Sequence, residues 1–355
     1  MIESKSASQL LTELRDLRSS QSRRPDLVTR IGLSLEHAHK LGNLHSRDVA
    51  EAVEQVAIAA LETAHLDLAD RLIARLSIHY REQPHGLHRV NYLHGMALEA
   101  RGLLTDAKEF YLQRLRDDET DVAVRKRLAA LHLSSPLIEL PASSSSNKNN
   151  NKAGEKNPYL SASLSRTEGI SLLVSYLDTY YLDLSSWLSL SSAYASLGQY
   201  PAALTCLDHA VVLSPHDPFV HLKAAETAYT AGEFPLAWKG FARVVEMSLG
   251  PSSRDSVVLQ GAARRAAYGA KLCIPRLRAS ASTSTPSSSS TRPAAAASAT
   301  DEKTPSSTMA VITPDQLDKM DLLLTRLLLD DASAASRGGT TGAAAAELRS
   351  WLSGN

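Results

Sequence analysis

The stretch Gly198-Gln199-Tyr200-Pro201 returns later in the chain as Gly232-Glu233-Phe234-Pro235, with every matched pair 34 positions apart. The same spacing of 34 positions joins the small residues Ala203 and Ala237. Around both stretches, apolar side chains recur at i, i+3 and i+4, which is the spacing of a helix face. No stretch shows the sustained alternation of apolar and polar residues that a strand would have. These observations predict an all-α chain built from repeated helical hairpins.

A period of 34 residues with two helices per unit is that of the tetratricopeptide repeat (TPR), a family that this chain resembles. The unit that begins near Leu184 fills the family's signature positions, with Ser191 in place of Gly and Leu207 in place of Phe. Two antiparallel helices approach closely only where side chains are small, and larger side chains fill the space around that contact. The residues that we expect to pack the repeats are Gly95, Ala107, Trp187, Tyr194, Ala203, Ala210, Pro215, Ala225 and Ala237.

The expected architecture is a TPR solenoid, a right-handed superhelix of helical hairpins with two disordered insertions. The insertions are rich in Ser, Asn, Thr, Ala and Pro, and such segments bury too little apolar surface to offset the entropy of ordering. The predicted segments are N-terminal capping helices at 1–49, TPR-type hairpins at 50–278 with a disordered insertion at about 135–165, a disordered linker at 279–308, the return helix of the last repeat at 309–331 and a mostly disordered tail at 332–355.

The composition narrows the classes of function. The 38 Lys and Arg residues balance 38 Asp and Glu residues, so there is no electrostatic case for nucleic-acid binding. Cys206 and Cys273 are too few for a disulfide framework or a thiolate metal site, and we expect both to be small core residues. The charged first residues, 1–17, lack the apolar run of a secretory leader. The apolar run Leu322–Leu329 is too short to span a membrane.

No motif predicts catalysis, a cofactor or a metal. The sequence contains no Gly-rich phosphate loop, no HExxH and no GxSxG. Among the 12 histidines, the pairs His37 with His39 and His85 with His88 have no Cys, Asp or Glu at ligand spacing. An enzyme with an unrecognised site stays an alternative, and it would need a convergent polar pocket.

The first helix of each repeat lines the inner face of a TPR array, so its inward positions predict contacts with a partner. These candidates are Arg89, Tyr92, Met96, Leu188, Ser192, Phe219, Leu222, Glu226 and Tyr229. A groove of aliphatic, aromatic and hydroxyl-bearing residues suits a helix or an extended segment that presents apolar side chains.

Chaperone-binding TPR arrays hold a terminal carboxylate with a Lys and an Asn on this face. Here the matching positions hold Leu or Tyr, and Ser, Glu or Met. The charge of Glu226 would repel a carboxylate. The sequence therefore disfavours a carboxylate clamp.

Shorter segments carry a closer resemblance, to subunit 2 of the endoplasmic reticulum (ER) membrane protein complex. The resemblance covers roughly residues 27–271 without the first insertion. The segments that carry it are Glu54–Ala60, Asp67–Ala69, His88–Val90, Gly95–Met96, Ala123–Arg127, Tyr176–Leu177, Trp187 and Ala193–Tyr194.

The resemblance implies a non-catalytic cytosolic scaffold without a cofactor. Such a subunit is peripheral to the ER membrane and hetero-oligomeric, because it binds cytosolic parts of the other subunits of the complex. It would thereby support the insertion of transmembrane helices of tail-anchored and multi-pass clients. The alternative is a soluble TPR co-chaperone or adaptor outside any membrane complex.

Overall fold

A computed structural model of the chain describes residues 6–20, 22–37, 47–81, 84–134, 164–249, 259, 261–283, 314–337 and 350–352. Every regular element in these ranges is an α-helix. The helices are α1 (Ala7–Ser19), α2 (Pro25–His37), α3 (Arg47–Glu62), α4 (Leu66–His79), α5 (Pro84–Ala100), α6 (Leu104–Asp117), α7 (Val122–Leu133), α8 (Arg166–Thr179), α9 (Leu184–Ser196), α10 (Tyr200–Leu213), α11 (Pro218–Ala231), α12 (Phe234–Ser248), α13 (Ala262–Thr283) and α14 (Pro314–Arg337).

Successive helices pair as hairpins, and in each hairpin we name the first helix A and the second helix B. The odd-numbered helices are A helices and the even-numbered helices are B helices. The hairpins belong to two compact units, Met1–Tyr181 and Leu182–Asn355. The prediction of an all-α, TPR-type fold is confirmed.

The quoted Gly-x-aromatic-Pro stretches form the turns between an A helix and a B helix. Gly198 and Gly232 adopt φ of 73° and 87°, the left-handed region that favours glycine. In the first turn, the Gln199 amide donates to the Tyr194 carbonyl at 3.0 Å, which satisfies one of the last carbonyls of α9. Pro201 lies in the first turn of α10, where its missing N–H group costs no helical hydrogen bond. The local chemistry of these residues therefore determines where each hairpin reverses.

Aspartates begin the A helices α7, α9 and α11. Each carboxylate accepts a hydrogen bond from a backbone amide in the first turn of its helix and so satisfies a donor that has no helical partner. The pairs are Asp121 with Val124 at 3.1 Å, Asp183 with Ser185 at 3.1 Å and Asp217 with Phe219 at 2.8 Å. The B helices α4, α6, α10 and α12 have no side-chain cap of this kind.

Small residues lie where the helices of a hairpin cross. A Cβ atom on Gly95 of α5 would lie 2.1 Å from Cε1 of Tyr111 on α6, so the ring occupies the space that a side chain would need. Likewise, a Cβ atom on Gly240 would lie 2.8 Å from Cβ of Ala225. The fully buried alanines at hairpin contacts include Ala107, Ala203, Ala210 and Ala237. These contacts give the close helix approach that the repeat pattern requires.

The helices α7 and α8 form one hairpin, although about 30 positions separate them in the sequence. The amide of Ser165 donates to Nδ1 of the buried His132 at 3.3 Å, next to the start of α8. The predicted insertion at about 135–165 falls between these helices, and its residues 135–163 lie outside the described part of the chain.

The last hairpin departs from the predicted boundaries. The A helix α13 runs to Thr283, so the first residues of the predicted linker at 279–308 are helical, and 284–308 lie outside the described residues. The predicted return helix at 309–331 is α14, which begins at Pro314 and continues to Arg337, inside the predicted tail. Residues 350–352 of that tail are also helical.

Candidate protein-binding surface

In the second unit, the helices α9, α11 and α13 form a surface that we name the second A-helix face. Lys223 of α11 donates through Nζ to the Leu188 carbonyl of α9 at 3.0 Å and to Ser192 Oγ at 2.6 Å. On the other side of α11, Glu226 accepts from Arg265 of α13 at 2.7 Å. Polar contacts therefore join the three A helices side by side.

In the first unit, the A helices α3, α5 and α7 form the first A-helix face. Glu54 of α3 pairs with Arg89 of α5, with Arg89 Nε 3.2 Å from Glu54 Oε1. Glu99 of α5 accepts from Nε and Nη2 of Arg127 on α7 at 2.8 Å and 2.6 Å. This face is therefore crossed by ion pairs between neighbouring A helices.

The structure corrects two of the predicted groove residues. Met96 is only 8% exposed and belongs to the core of the first unit, and Leu222 is only 3% exposed and belongs to the core of the second unit. Side chains at these positions turn under the face because the neighbouring helices cover them. Neither residue is available to a partner.

The other predicted groove residues reach the surface to different degrees. Phe219 is 63% exposed, Ser192 and Arg89 are exposed, and Tyr92 and Leu188 are half-buried. Phe219 is the largest apolar side chain that the second A-helix face presents to solvent.

The remaining two predicted groove residues lie on the C-terminal half of α11. Glu226 is half-buried and held by the ion pair with α13. The ring of Tyr229 packs edge-on against Phe234 at 5.5 Å. Tyr229 also lines an open cleft of about 340 Å³ together with Leu272 and Pro275 of α13.

The predicted packing residues lie inside the hairpins, with one correction. Trp187 stacks on His209 with ring centroids 4.5 Å apart, Tyr194 is half-buried and Ala225 is buried. Pro215 is instead exposed, and its carbonyl oxygen lies 3.0 Å from Nε2 of His221 on the following A helix. Its position just beyond the end of α10 is that of a residue that cannot continue the helix.

Both cysteines are buried, and burial suppresses the reactivity of their thiols. Burial raises the pKa of the Cys206 thiol to about 11 and that of Cys273 to about 12, which keeps both thiols protonated and unreactive near neutral pH. Within the described ranges, no group of three or more His, Cys, Asp or Glu residues could hold a metal ion. The helices that the structure describes also include none with the length and hydropathy needed to cross a bilayer.

The chain is similar in sequence to known proteins of the ER membrane protein complex. No family model matches the chain. Over 241 residues the chain is 30% identical to ER membrane protein complex subunit 2-A of Xenopus laevis, which covers 66% of this chain and 69% of that protein. The chain belongs to the ER membrane protein complex subunit 2 family.

Two further similarities are to proteins described as TPR repeat proteins. The TPR repeat protein oca3 of Schizosaccharomyces pombe is 27% identical over 213 residues, or 59% of this chain and 64% of that protein. The C-terminal part of a TPR repeat-containing protein from Cytophaga hutchinsonii is 14% identical, with a TM-score of 0.40, and covers 78% of this chain and 96% of that one.

Lys223 was not among the candidate residues that the sequence predicted for this surface, because it lies beside the inward positions that the repeat register marks. Only the tertiary structure identifies it, because its ammonium group donates hydrogen bonds to the preceding A helix and not to residues nearby in the sequence. The sequence predicted that Glu226 would repel a carboxylate. In the structure Arg265 pairs with Glu226, and Lys223 adds a positive charge to the same face, so this repulsion is weaker than the sequence indicates.

Proposed function

We propose that this chain is the TPR scaffold subunit of an ER membrane protein complex and lies at the cytosolic face of the ER membrane as a peripheral component. It binds cytosolic segments of the membrane-embedded subunits and thereby supports the insertion of transmembrane helices of tail-anchored and multi-pass clients. The observation that carries the proposal is the 30% identity to a subunit 2 protein over 69% of that protein's length.

The second A-helix face supports binding of a polypeptide segment. It exposes the apolar ring of Phe219 and also carries the exposed hydroxyl group of Ser192 and the half-buried side chain of Leu188. Exposed apolar side chains that lie among polar groups are typical of protein-binding sites. The A helices also supply a rigid platform, because each is held by its own B helix.

The test is recovery of partners from cells of the source organism. The tagged chain is purified from detergent-solubilised membranes, and its partners are identified and quantified by mass spectrometry. We expect the membrane subunits of the complex in fixed ratio to the chain, and we expect depletion of the chain to lower insertion of a tail-anchored reporter. Recovery in the soluble fraction without membrane subunits would instead support the co-chaperone or adaptor.

A matched pair of variants asks whether the second A-helix face makes the contact. Phe219→Asp places a charge on the face, and Val212→Asp makes the same kind of change on α10, at a side chain that is 79% exposed. Because neither residue is buried, both variants are expected to keep the thermal unfolding midpoint of the wild type. We expect Phe219→Asp alone to lose the membrane subunits, and equal recovery with both variants would reject this face as the contact.

A further inference from the structure

The ammonium group of Lys223 is held on the second A-helix face by neutral acceptors. Its Nζ atom lies 3.0 Å from the Leu188 carbonyl oxygen and 2.6 Å from Ser192 Oγ. An ammonium group carries three N–H donors, and these two acceptors engage two of them. The third donor is left for another group.

No carboxylate balances this charge in the described part of the chain. The acid one turn along α11, Glu226, is bound to Arg265 at 2.7 Å. Half-burial lowers the pKa of Lys223, and no neighbouring negative charge opposes that effect. Proteins normally pair a cation that is withdrawn from water.

The buried lysine of the same unit shows the usual arrangement. Lys271 of α13 is almost fully buried, and its ammonium group pairs with the carboxylate of Asp321 on α14 and donates to Thr325 Oγ1 at 2.8 Å. Lys223 has the hydroxyl partner but lacks the carboxylate. Lys223 is less deeply buried than Lys271, and its third donor is therefore accessible to a carboxylate from outside the chain.

We propose that Lys223 anchors an Asp or Glu side chain of a partner segment that lies on the second A-helix face, with a neighbouring apolar side chain of that segment against Phe219. This inference rests on the proposed function and deepens it, because it names the chemistry of the partner segment. A carboxylate that binds the third N–H donor of Lys223 takes the place of water there and forms a charge-assisted hydrogen bond.

The spacing of the two anchors sets the motif. Phe219 and Lys223 lie four positions apart on α11, so they share a face and are about 6 Å apart along the helix axis. An extended peptide advances about 3.3 Å per residue, so about two residues cover that distance. We expect an acidic residue and an apolar residue separated by one position in a segment that runs parallel to α11.

An acidic side chain fits this site better than a chain terminus. Chaperone-type TPR clamps surround a terminal carboxylate with several cations and an amide. Here Lys223 supplies a single ammonium group, and the next cation on the face, Arg265, is occupied by Glu226. One ammonium group beside an exposed aromatic ring matches one carboxylate beside an apolar side chain.

The experiment uses the full chain and a library of random ten-residue peptides, acetylated and amidated so that only side chains carry carboxylates. Enriched peptides are measured by fluorescence polarisation against wild type, Lys223→Met and Lys239→Met, the last being a matched change on the B helix α12. We expect the apolar-x-acid motif, the order that a segment parallel to α11 presents, among the enriched peptides. We also expect about tenfold weaker binding to Lys223→Met, the effect of one charge-assisted hydrogen bond, and no change with Lys239→Met.

A matched peptide with Gln in place of Glu makes the test independent of any effect of Lys223→Met on folding. It should lose as much affinity for the wild type as the parent peptide loses for Lys223→Met, and the two changes together should cost little more. The proposal is overturned by enriched peptides without an acid, by equal binding to Lys223→Met, by binding that needs a free terminal carboxylate, or by a library without binders. None of these results bears on whether the chain co-purifies with membrane subunits.

Discussion

At the scale of single residues, one backbone position determines the reversal of the hairpins. Gly198 has φ of 73°, and a Cβ atom there would meet nothing within 4 Å. Glycine is therefore required for its conformation and not for space. The matching position between α3 and α4 is Ala64, which adopts φ of 59° despite its side chain. A left-handed alanine carries a strain that glycine would not.

This difference predicts opposite effects of exchanging the two residue types. Gly198→Ala should lower the free energy of unfolding by about 1 kcal/mol, whereas Ala64→Gly should raise it by about 0.5 kcal/mol, because relief of strain exceeds the entropic cost of glycine. Urea unfolding of the full chain measures both. The control is Ala130→Gly on the exposed side of helix α7, which should be destabilising by about 1 kcal/mol. A loss of stability in Ala64→Gly would contradict the strain argument.

At the scale of elements, hydrogen bonds to Glu99 connect three helices of the first unit. Its carboxylate on α5 accepts from the Tyr111 hydroxyl of α6 at 2.6 Å and from the guanidinium of Arg127 on α7 at 2.6 Å and 2.8 Å. Burial, with the charge of Glu99 beside it, raises the pKa of Tyr111, so the phenol stays a donor. These bonds connect one hairpin to the next.

Removing the charge of Glu99 should therefore loosen this contact. Glu99→Gln is expected to lower the free energy of unfolding by about 2 kcal/mol, the value of a hydrogen-bonded charge that is largely shielded from water. Asp70→Asn removes the carboxylate of the more exposed Arg101–Asp70 pair and should cost less than about 0.5 kcal/mol. Urea unfolding gives the totals, and hydrogen exchange should show faster opening of α5, α6 and α7 only in Glu99→Gln. Equal costs for the two variants would show that the triad contributes no more than a surface pair.

The sequence predicted the hairpins well because their determinants are local. The glycine turn and the small crossing residue Ala203 act within one repeat, so a period of 34 residues is enough to locate them. The binding surface depends on neighbouring repeats. Leu222 occupies an inward position in the repeat register, yet the packed helices around it bury it. Lys223 was missed because the lack of a carboxylate partner is a property of the tertiary structure.

At the scale of the whole chain, long segments interrupt hairpins without preventing them from closing. The helices α13 and α14 run antiparallel, and four ion pairs join them along their length, one of them between Arg278 and Asp321 at 3.5 Å. The other three are Arg264 with Asp331 at 2.7 Å, Lys271 with Asp321 and Arg278 with Asp318 at 2.6 Å. Asp331 also accepts from the Leu259 amide at 3.0 Å. The described contacts that close this hairpin are made by residues of α13 and α14 and by Leu259.

This arrangement predicts that the hairpin survives replacement of residues 284–313 by a Gly/Ser linker of about eight residues. The Arg278–Asp318 pair places the two helix ends near each other, so a short linker can join them. A shorter loop loses less entropy on closure, and the free energy of unfolding should rise by about 1 kcal/mol. The measurement is urea unfolding, with Asp331→Asn in both backgrounds as the control, since that change should be destabilising by the same amount in each. A large loss of stability in the shortened chain would mean that residues 284–313 themselves contribute contacts to the second unit.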